Sequence, residues 1–62
     1  MMIVFHDGPQ FLETQGQGII ERGVPREMDN QYAYSLIDSG QALPADDDAL
    51  LQFQLMREER NG

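Results

Sequence analysis

The side chains that could do chemistry in this chain are few and scattered. His6 is the single histidine, and Asp7 follows it directly. Adjacency along the chain does not make a catalytic dyad, because a base and its orienting group must meet in space. Thr14, Ser35 and Ser39 are the hydroxyl nucleophiles that His6 would have to activate. None of them sits in a nucleophile-elbow or oxyanion motif. His6 is therefore read as structural or solvent-facing. Carboxylates are abundant, but an acid–base pair needs a pocket that moves the two groups apart in acidity. A chain this short can hardly build a deep one. The chain is expected not to be an enzyme.

Asp46, Asp47 and Asp48 form the longest acidic run. Three adjacent aspartates on a helix start cannot all face one ion, and the further ligands and central glycine of a calcium loop are missing. The same residues suit a helix N-terminus, with Arg57 and Arg60 near the opposite end, where the dipole favours cations. The glycines of Gln15-Gly16-Gln17-Gly18 suit a turn; a phosphate cradle would need a helix directly after it. There is no cysteine, which excludes disulfides and thiolate metal sites, and one histidine does not make a zinc site. These residues imply no catalytic centre, no cofactor and no metal.

Sixty-two residues allow one small domain or one part of a larger assembly. A core of that size rarely supplies more than ~3–5 kcal/mol. With disulfides and metals set aside, oligomerisation or docking on a partner remains as support. Eleven acids against four arginines, with no lysine, give a net charge of −7. That balance argues against a nucleic-acid-binding stripe and permits a basic partner. No apolar run approaches the ~20 residues of a membrane span. The opening residues MMIVFHDG lack a basic leader region and a cleavage pattern, so an intracellular origin is expected.

The elements that must position these residues are read from pattern and punctuation. Residues 1–6 are a strand, rich in branched and aromatic side chains. Asp7-Gly8-Pro9 ends it. Residues 10–14 form a second strand, in which Phe11 and Leu12 compete for the inward side. Residues 18–22 form a third. Residues 24–28 extend toward a helix, and Pro25 confines them to an edge or a loop. The helix spans 29–39. Asp29 is its N-cap, Met28 and Ala33 form a hydrophobic staple, and Ala33, Leu36 and Ile37 make its apolar stripe, with Tyr32 one turn before Leu36. Gly40 stops it. Residues 41–43 return as a short extended segment that Pro44 ends.

A second helix spans 47–59, and Asn61 and Gly62 should fray. Its apolar side is wide: Leu51 and Leu55 make one stripe, and Leu50, Phe53 and Met56 broaden it. That set is the candidate partner-binding surface, with core burial as the competing reading. The expected fold is α+β: a small N-terminal antiparallel hairpin or meander packed on a short helix, then a second C-terminal helix. Residues 1–44 form the hairpin-and-helix unit and 45–62 the extension.

Met28, Asp29, Ala33, Leu36, Ile37, Gly40 and Ala42, with the strand before them at 18–21, carry a resemblance. A hairpin, a polar cap and a helix ending Leu-Ile-x-x-Gly-x-Ala resemble very small tailed-phage proteins of virion heads and necks. The resemblance covers roughly residues 1–44, and this chain adds an acidic second helix where the shorter pattern stops. It implies a structural or accessory virion protein, made in the host cytoplasm. Such a protein binds other virion proteins or copies of itself, and contacts neither nucleic acid nor membrane directly. The alternative is a cytoplasmic acidic regulator, antitoxin-like or a nucleic-acid mimic, presenting Asp46, Asp47, Asp48, Glu58 and Glu59 to a basic partner.

Overall fold

The computed structural model of the chain describes residues 1–61. Five short strands and two helices follow one another, an α+β arrangement with antiparallel pairing throughout. Strand β1 (Met2–Phe5) lies at the centre of a three-stranded sheet, between β4 (Pro25–Glu27) and β5 (Ala42–Pro44). Its side chains alternate as strand geometry requires. Ile3 and Phe5 are buried, and Met2 and Val4 are half-buried on the opposite face. Ile3 and Phe5, with Ile20, are the largest side chains fully removed from water.

Pairing alternates along β1. Ile3 faces Arg26 of β4, and Val4 faces Leu43 of β5. The flanking bonds set the phase: Met28 N–H donates to Met1 C=O (3.0 Å), while Ala45 N–H donates to Met2 C=O and His6 N–H to Gln41 C=O (both 2.9 Å). Antiparallel ladders alternate between hydrogen-bonded and open pairs. Arg26 and Leu43 therefore bond inward to β1, and the backbones of Pro25 and Pro44 turn outward. Both edges of this sheet carry proline where an outward N–H would otherwise stand, a device that blunts an edge. Pro25 occupies the edge expected of it. Pro44 was expected to end the extended segment, yet it is the last strand residue, because the donor it lacks is one β1 does not need.

Strands β2 (Phe11–Glu13) and β3 (Ile19–Glu21) form a separate hairpin. Leu12 pairs with Ile20, and these two turn inward while Phe11 turns out. Arg26 ties the hairpin to the sheet, donating to the carbonyls of Ile19 (2.9 Å) and Gln17 (2.5 Å).

Helix α1 (Asn30–Asp38) begins at Asp29, whose carboxylate accepts from the N–H groups of Gln31 and Tyr32. Met28 and Ala33 are both buried, as a staple requires. At the other end Gly40 N–H donates to Ile37 C=O and Gln41 N–H to Leu36 C=O, each at 3.0 Å. Those two bonds, with Gly40 at φ +85°, are a Schellman stop. Helix α2 (Asp47–Asn61) is capped by Asp46, which accepts from Ala49 N–H at 2.7 Å. It runs past the expected end and includes Asn61; Gly62 lies outside the described residues. Ala49 and Phe53 of α2 join the cluster that holds Ile3, Phe5, Ile20 and Leu36.

The amino group of Met1 is held by the Glu27 carboxylate (2.7 Å), the Met28 carbonyl (2.9 Å) and the Asn30 side chain (3.0 Å). It thereby pins the start of β1 to the β4–α1 junction.

Gly8 packs its α-carbon against the core. A Cβ there would stand 2.6 Å from Phe5 Cζ, with φ at +152°. Gly8→Ala should lower stability by about 1–3 kcal/mol, the usual cost of overpacking. A urea titration followed by circular dichroism measures it, and an unchanged midpoint would contradict this packing.

Candidate protein-binding surface

The residues that could do chemistry lie apart. His6 is exposed just beyond β1. Thr14 donates its hydroxyl to Gly18 C=O, Ser35 to Gln31 C=O, and Ser39 to Leu36 C=O and the Gln41 side chain. Thr14 serves a turn, Ser35 bonds back within α1 and Ser39 serves the helix end, and no hydrogen bond joins one to His6 among the described residues. Asp46 caps α2, and no group of three or more potential metal ligands forms among the described residues. A cleft of about 290 Å³ beside the N-terminus is lined by Met2, Glu27, Asn30, Asp46, Asp48 and Gln52, with others. A wider, open concavity lies along α2 at Gln54, Arg57, Glu58 and Asn61. No described helix is long and apolar enough to cross a membrane.

All four arginines face groups of their own chain other than carboxylates. Arg22 donates to Gly8 C=O (2.9 Å) and the Gln10 side chain (3.2 Å). Arg26 serves the hairpin carbonyls. Arg57 lies 5.9 Å from the Phe53 ring centroid, and Arg60 lies 4.1 Å from that of Tyr34 while donating to the Gln31 side chain. The only salt bridge among the described residues joins the Met1 amine to Glu27. The acidic surface is therefore left almost without internal counter-charge.

Helix α2 divides the five candidate partner residues. At ~100° per residue its buried side runs through Ala49, Phe53 and Met56. Phe53 is 9% exposed and its ring centroid is 5.0 Å from that of Tyr34; Met56 packs partly buried beside them. Phe53 stabilises the fold and is not free to meet a partner, because the sheet and α1 need a cover and α2 supplies it; Met56 remains half-buried. Leu50, Leu51 and Leu55 turn the other way and stay exposed, Leu51 at 53%. Asp47 and Glu58 accompany them on that side.

Further apolar surface was not foreseen in the chain. Phe11 and Ile19 are 60% and 63% exposed on the outer side of the hairpin. Leu43 is exposed on the sheet face away from the helices, beside Val4. The competition between Phe11 and Leu12 was the signal for the first; a run as short as 41–43 holds none for Leu43. Tyr34 was also missed, since its ring reaches the α1–α2 seam from outside the expected stripe. No family model, curated protein or solved structure matches this chain.

Phe53→Asp should abolish folding, because an unpaired charge would enter the core. Leu51→Asp should leave the thermal midpoint nearly unchanged. Comparing the two by circular dichroism checks the orientation of α2, and unfolding of the Leu51 variant would overturn it. Arg60→Ala should remove about 1 kcal/mol by releasing the stack on Tyr34, read as a lower urea midpoint.

Proposed function

We propose that this chain is a non-enzymatic structural or accessory protein that docks on neighbouring proteins of a larger assembly. The observation that carries the proposal is the Leu50–Leu51–Leu55 side of α2. Its opposite side already covers the core through Ala49 and Phe53, so folding does not require these leucines. Each is already about half covered, so completing its burial contributes about 1 kcal/mol. Three on one helix therefore suffice for a weak contact that repetition in an assembly would strengthen. The resemblance of residues 1–44 to small tailed-phage proteins supports a virion as the setting, with a capsid, neck or decoration role. The partners would be other virion proteins or further copies of the chain.

A second reading is an acidic cytoplasmic regulator that occupies a basic partner. The observation favouring it is the use of all four arginines on carbonyls, side-chain amides and rings, which leaves the carboxylates of α2 unneutralised.

Two measurements separate the readings. A virion component copurifies with assembled particles in stoichiometric amount, and Leu51→Asp displaces it from them. Particles of equal composition and stability with and without the protein would refute that reading. An acidic regulator loses affinity for its captured partner as salt rises, because screening weakens exposed charge pairs. Affinity independent of salt points instead to the leucine surface.

A further inference from the structure

The geometry points to the outer edge of β2 as a strand-addition site for an extended, basic segment of a partner protein. The case rests on where every strand edge sends its backbone groups. In the three-stranded sheet, Pro25 and Pro44 remove one outward donor from each edge, as the register requires. In the hairpin, Thr14 N–H donates to Gly18 C=O and Arg22 N–H to Gln10 C=O. The pairs 14/18, 12/20 and 10/22 are therefore the bonded ones, and residues 11, 13, 19 and 21 point outward. On the β3 side both outward carbonyls are taken: Ile19 by Arg26 and Glu21 by Val24 N–H. On the β2 side, no hydrogen bond among the described residues uses the N–H or C=O of Phe11 or Glu13. Both residues are exposed. Among the strands of the described residues, this edge alone keeps a complete set of two donors and two acceptors for an added strand.

Charge decides the occupant. The outer side of the hairpin carries Phe11 and Ile19 beside Glu13 and Glu21, and Arg22 is turned away toward Gly8 and Gln10. A second copy of the chain would bring −7 against −7. A segment with a basic residue opposite Glu13 and an apolar residue two positions away, opposite Phe11, matches both side chains at the spacing of a strand. This edge lies on the hairpin, apart from the leucine side of α2, so the two surfaces can be tested independently.

The test titrates the ¹⁵N-labelled full chain with the peptide Thr-Lys-Thr-Val-Thr-Lys-Thr, observing amide shifts and hydrogen exchange. The amides of Phe11 and Glu13 should shift and gain protection, and the acidic analogue Thr-Glu-Thr-Val-Thr-Glu-Thr should fail to bind. Glu13→Pro deletes an outward donor and no hairpin bond. It should weaken the lysine peptide about fivefold or more, one hydrogen bond's worth. Should that variant unfold, Glu13→Lys keeps the donor, and should weaken the lysine peptide and admit the acidic one. Three results would overturn the inference: no shift at millimolar peptide, shifts confined to α2, or Phe11 and Glu13 shifts that follow the chain's own concentration without peptide. The last would assign the edge to a second copy.

Discussion

Ile3 and Phe5 project from one side of a four-residue strand, and the rest of the molecule is arranged to keep water from them. A strand so short has no stability of its own. Flanking it on both sides satisfies its backbone, and α1 and α2 cover its apolar side. The N-terminal amine, bonded to Glu27, Met28 and Asn30, holds the strand in register from its first residue. Gly8 lets the chain turn directly over the Phe5 ring. The described residues form one core cluster, and in a domain this small a fault in it has little to compensate it.

This constraint divides the charges. The arginines satisfy carbonyls at the hairpin and stack on the aromatic rings of the α1–α2 seam, where a planar cation serves better than lysine would. Apart from Glu27, which holds the Met1 amine, the carboxylates cap two helices or stand in solvent. The chain therefore uses its positive charge internally and presents its negative charge outside. The exposed leucines of α2 and the exposed Phe11 and Ile19 lie within that acidic surface, apolar patches with acidic neighbours.

The local punctuation was legible in the residues. Asp29, Met28, Ala33 and Gly40 act through neighbours a few positions away, and each performs the part its type and spacing imply. Asp46 caps α2 for the same reason. Long-range pairing was not legible: β1 joins β4 and β5, more than twenty residues distant along the chain, instead of the strand that follows it. Strands of three residues carry too little pattern to name their partners. The second helix posed the same difficulty in another form. Leu50, Leu51, Phe53, Leu55 and Met56 are all apolar, so hydrophobicity alone could not say which of them face the sheet.

By itself the sequence determined the α+β elements, the helix caps and the net charge, because each depends on composition or on contacts within about one turn. Only the tertiary structure decided that Phe53 belongs to the core, with Met56 half-buried against it, while Leu50, Leu51 and Leu55 stay exposed. It alone placed Pro44 within an edge strand with its missing donor outward, and left β2 as the edge with its backbone groups unused. Those outcomes depend on which distant segments meet, and that is settled by covering one shared apolar surface.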